Sequence, residues 1–107
     1  MTETLDWVDL KSMSPGAQLD VETRSRHYHI ECLGGNAMKI SGHPEYCPTP
    51  VVAELQGSTT PNGTFESGAI KPGNHLVFLL GKHLPVTTSK ILRILVNRPD
   101  QVSRTIH

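Results

Sequence analysis

The sequence predicts an all-β protein: a small antiparallel barrel or sandwich of six to seven short strands, preceded by a short helical or irregular segment. Three observations carry that expectation. Apolar and polar residues alternate with a period of two over several short runs, of which Leu19, Val21 and Thr23 between Asp20, Glu22 and Arg24 is the clearest. Turn clusters rich in glycine and proline separate the runs. Two runs, HLVFLL at 75–80 and KILRILV at 90–96, are apolar on both faces, as central strands must be. At 107 residues the chain reads as one domain, 1–107, with a thin core.

Taken in order, residues 1–17 form an N-terminal segment. Leu5, Val8 and Trp7 suit one or two helical turns that are too short to stand alone, with Trp7 anchoring them over an open end of the core. Ser12, Ser14, Pro15 and Gly16 then break any helix. From Gln18 to Leu33 the strand pattern changes phase. Leu19, Val21 and Thr23 are apolar or small at odd positions, whereas Tyr28, Ile30 and Cys32 follow at even ones. One straight strand cannot bury both sets, so a tight connection or a β-bulge must lie between Thr23 and His27.

Gly34-Gly35-Asn36 tolerates positive φ and turns the chain into AMKIS at 37–41, giving a hairpin over 27–41. GHPEYCPTP at 42–50 holds three prolines and is excluded from any central strand. VVAELQG at 51–57 resumes the strand pattern. Thr60-Pro61-Asn62-Gly63 fits a type I turn, and Lys71-Pro72-Gly73-Asn74 fits a type II turn with Gly73 at its positive-φ position. A helix face is also compatible with 89–96, but length, β-branching and the preceding Thr87-Thr88 favour a strand. Residues 98–107 form a frayed tail.

Composition narrows the function classes. No apolar run reaches the roughly 18 residues of a membrane span, so no membrane role is expected. The opening MTETLDWVDL lacks the basic start and apolar core of a secretion signal, which leaves the cytoplasm as the expected location. The formal charge is zero but uneven: residues 1–22 carry five acids against one base, and residues 23–107 carry nine bases against five acids. The bases are scattered singly, so strong nucleic-acid binding is not expected. Weak single-stranded binding on a barrel face would need more exposed aromatics than one Trp, two Tyr and two Phe supply.

Several constellations are candidates for chemistry. Cys32, His43 and Cys47 have zinc-ligand character, with His43 and Cys47 four residues apart on a turn-rich loop. They would need a fourth ligand from His27, His29 or His75, and in their absence no cofactor is expected. Cys47 beside a histidine is a candidate nucleophile, yet the sequence holds no nucleophile elbow and no complete catalytic constellation, so an enzyme is not expected. Arg24, Arg26 and His27 form a cationic cluster at the phase change, and Tyr46 projects from the proline-stiffened loop. These four residues are the expected working face of a non-catalytic binding module, whose partner is a protein or a small anionic ligand.

Overall fold

A computed structural model describes residues 2–81 and 85–97, with the side chains of Thr2 and Glu3 left aside. Ten strands are described: β1 Thr2–Leu5, β2 Val8–Asp9, β3 Gln18–Thr23, β4 His27–Gly34, β5 Ala37–Ser41, β6 Val51–Thr59, β7 Phe65–Ser67, β8 Ala69–Ile70, β9 His75–Leu79 and β10 Val86–Asn97. The pairs β3–β4, β4–β5, β5–β6, β6–β9, β9–β10 and β10–β3 are all antiparallel and close on themselves. The architecture is therefore a closed six-stranded antiparallel barrel with extra strands attached, and the expected fold class holds.

The phase change around Arg26 is a tight connection. Strand β3 pairs with β4 in a register that sets Val21 opposite Tyr28 and Leu19 opposite Ile30. Partners in this hairpin have opposite parity in sequence, so reversing the chain buries odd positions on β3 and even positions on β4. The turn is closed by Thr23, whose amide and hydroxyl both donate to the Arg26 carbonyl, while its Oγ1 accepts the Arg26 amide at 3.0 Å. The loop is tied to β10 by bonds from the Arg24 amide to the Lys90 carbonyl and from the Ser25 amide to Ser89 Oγ.

Side chains from all six barrel strands fill the interior, among them Leu19, Ile30, Met38, Leu55, Leu76, Phe78, Ile91 and Ile94, each no more than 1 % exposed. Each such side chain stabilises the fold by about 1.5–3 kcal/mol relative to exposure. Strand β9 is buried on both faces at Leu76, Val77 and Phe78, as its unbroken apolar pattern requires. Both expected turns form: Gly63 N–H donates to the Thr60 carbonyl, and Asn74 N–H to that of Lys71 with Gly73 at φ 93°.

The N-terminal segment departs from the helical expectation. Strand β1 pairs with the end of β10, β2 pairs with β8, and only Leu10–Ser12 forms a 3-10 turn, capped by Asp9. Free edges on β10 and β8 satisfy the backbone of this segment better than an isolated short helix can. Trp7 lies at the corner between β1 and β2 and is 52 % exposed; Val8 and Leu10 take the buried positions instead. Strands β7 and β8 were not anticipated, being too short to show a period, and β10 begins earlier than expected because Thr87 pairs with Val77 of β9. The tail expected to fray, 98–107, lies outside the described residues. No helix among the described residues is long and apolar enough to cross a membrane.

Candidate functional site

One end of the barrel carries the β3–β4 turn, the β5–β6 loop and the start of β10. Between them opens a cleft of about 600 Å³, lined by Arg26, Tyr28, His43, Tyr46, Leu80, Pro85, Val86, Thr87, Thr88 and Ser89. That volume lies within the roughly 300–1,000 Å³ of small-molecule sites.

The loop wall is built by a single turn over HPEYC. The Cys47 amide donates to the His43 carbonyl, and the Gly42 amide donates to the Cys47 carbonyl. His43 caps this turn as an N-cap residue would: its Nδ1 accepts the amides of Glu45 at 3.1 Å and Tyr46 at 3.2 Å. Pro44 follows at the position where a missing N–H costs nothing. Because Nδ1 is an acceptor here, the hydrogen of the neutral ring sits on Nε2. The Tyr46 ring packs on His43 with centroids 4.5 Å apart, and Tyr46 remains 52 % exposed. Gly42 fixes the loop against β4: its φ is +126°, and a Cβ there would run into the His27 carbonyl oxygen.

The floor is Tyr28. Its side chain is 2 % exposed and its ring meets Phe78 edge-on at 5.9 Å. Burial pushes the phenol above its ordinary value; the Arg26 guanidinium pulls the other way and the nearby Cys47 adds to the rise, so the hydroxyl is protonated at neutral pH. The Tyr28 hydroxyl makes no hydrogen bond to any described residue, and no described carboxylate pairs with Arg26. By contrast, the buried hydroxyl of Thr88 accepts the Leu76 amide and donates to the Ser89 carbonyl.

Of the four residues expected to form the working face, the structure brings Arg26 and Tyr46 to this cleft. Arg24 is exposed and His27 points outward, because the register that buries Tyr28 turns its neighbour to solvent. His27 Nε2 lies 3.5 Å from Asp20 Oδ1, which His29 Nδ1 also meets at 2.9 Å. Glu22 pairs with Arg93 at 2.9 Å. These exposed pairs contribute little to stability.

The structure does not bring Cys32, His43 and Cys47 together. Cys47 sits near Tyr28 at the cleft end, whereas Cys32 lies four residues further along β4, opposite Met38, at about 3.3 Å of rise per residue. Among the described residues no group of three His, Cys, Asp or Glu side chains is placed to hold a metal ion. Both thiols are free, buried and pushed upward, each chiefly by burial, which keeps them protonated. The H-x-x-x-C spacing is accounted for by the turn: His43 caps it and Cys47 closes it into the core.

Tyr28, Thr87 and the apolar wall of Leu80 and Val86 were not singled out from sequence as site residues. The available signal for Tyr28 was its inward parity next to the cationic turn. No family model, curated protein or solved structure matches this chain.

Proposed function

We propose that this protein is a non-catalytic binding module that holds a small anionic ligand in the cleft at the end of its barrel. The observation that supports it most directly is Arg26, half-buried in the cleft wall with no carboxylate partner among the described residues. A guanidinium placed beside hydroxyl and imidazole N–H donors, with no acid in the described lining, is complementary to an anion. The setting we propose is the cytoplasm, where thiols such as those of Cys32 and Cys47 stay reduced.

The test is a ligand-detected screen of small carboxylates and phosphates against wild type and the Arg24→Gln/Arg26→Gln double variant. The unfolding midpoint should move by no more than about 0.5 kcal/mol, as at other partly exposed charges. Wild-type binding should weaken as salt rises, and the double variant should lose it. A double variant that keeps every wild-type interaction would place the site elsewhere.

A further inference from the structure

The described residues contain four buried polar side chains, Thr23, Ser58, Asn74 and Thr88, and each is hydrogen-bonded within the protein. The phenol of Tyr28 is as deeply buried and has no such partner among the described residues. Buried polar groups are nearly always satisfied, so this hydroxyl, on a residue that lines the cleft and with no bond to any described residue, is available to a ligand. The Arg26 guanidinium acts on it electrostatically, and His43, whose Nδ1 accepts two amides and whose Nε2 therefore carries the hydrogen, lines the same cleft. All three carry a donor, and only the Tyr28 oxygen can also accept.

Arg26 is the one lysine or arginine among the described lining residues, and the rest of the wall is apolar or aromatic at Tyr46, Leu80, Pro85 and Val86. A planar monoanion matches a single guanidinium fork, while a dianion would be left half-neutralised. The exposed face of Tyr46 and the aliphatic wall suit a ring stacked in an offset arrangement.

Building on the binding reading above, we infer that the ligand is a carboxylate carried on an aromatic body, its oxygens held by Arg26, Tyr28 and His43 and its ring by Tyr46. A free aryl acid and the carboxyl terminus of a short peptide ending in an aromatic residue present the same chemistry.

Calorimetric titration with phenylacetate, phenylacetamide, phenyl phosphate and an acetylated dipeptide ending in phenylalanine tests the assignment. Phenylacetate should bind about tenfold or more tightly than the neutral phenylacetamide, since charge-assisted hydrogen bonds are roughly twice as strong as neutral ones. Arg26→Gln should erase that gap. Tyr28→Phe should weaken phenylacetate severalfold while leaving the unfolding midpoint unchanged or raised, because no internal bond is lost. The tighter of phenylacetate and the dipeptide identifies the source of the carboxylate. Phenyl phosphate binding more tightly than both acids would overturn the carboxylate assignment and leave an anion site standing. Absence of binding by all four, or a gap that survives Arg26→Gln, would overturn the site itself. A lowered midpoint with unchanged affinity in Tyr28→Phe would make that hydroxyl structural and remove it from the proposal.

Discussion

The two ends of β6 treat polar groups in opposite ways. Near its end, Ser58 donates to the Ala69 carbonyl and accepts from Asn74 Nδ2, which also donates to Glu66 at 2.7 Å; Lys71 completes the set at 3.0 Å from Glu66. A register shift between Leu55 and Gly57 turns Ser58 inward to make this possible. The result is a clip that holds the β7–β8 excursion against the start of β9. Near the beginning of β6 lies the cleft, where Arg26 and Tyr28 have no hydrogen-bonding or acidic partner among the described residues. One small barrel thus satisfies a buried network at one end and, among the described residues, leaves a phenol and a guanidinium without a partner at the other. The contrast distinguishes polar groups that hold the fold from polar groups available to a ligand.

Breaking the cleft end should cost most. Gly42→Ala forces a Cβ toward the His27 carbonyl at a positive φ, and we expect a loss of about 3 kcal/mol in urea unfolding. An unchanged midpoint would mean that the β5–β6 loop is not held against β4 as described. At the clip, Asn74→Ala removes the donor shared by Ser58 and Glu66, with an expected loss of about 2 kcal/mol. If Asn74→Ala proves as mild as Tyr28→Phe, the distinction between the two ends fails.

A finer test of the clip is its acid response. Hydrogen bonds from Lys71 and Asn74 hold the Glu66 carboxyl below its ordinary value of 4.5. A group depressed in the folded state contributes stability above its unfolded value and loses that contribution as pH falls through the folded value. The wild-type unfolding midpoint should therefore decline below about pH 4.5 more steeply than that of Glu66→Gln. Parallel acid limbs in the two proteins would show that Glu66 is not coupled to folding.

Most of the barrel was legible in the sequence because strands such as β3, β4 and β5 bury one face, which leaves a period of two, while β9, buried on both faces, shows as an unbroken apolar run. The inversion of parity between Val21 and Tyr28 required a tight connection or a β-bulge between Thr23 and His27, and the structure has the tight connection. The missing strands failed for the complementary reason. Two or three residues, as in β2, β7 and β8, carry no period, and β1 is specified by the free edge of β10 and not by its own pattern. The candidate site was half legible. Residue type and turn position pointed to Arg26 and Tyr46, but a side chain's company depends on register and loop closure. Register sent His27 outward to Asp20 and set Tyr28 into the floor. Loop closure turned the zinc-like spacing of His43 and Cys47 into a capped turn.

The most direct test of the account is an amide chemical-shift map of the ¹⁵N-labelled protein titrated with phenylacetate. The account predicts saturable shifts confined to the Thr23–Tyr28 turn, the His43–Cys47 turn and Val86–Ser89, with Ser58, Glu66 and Asn74 unmoved. Shifts centred on the clip, or spread evenly over the barrel, would contradict it.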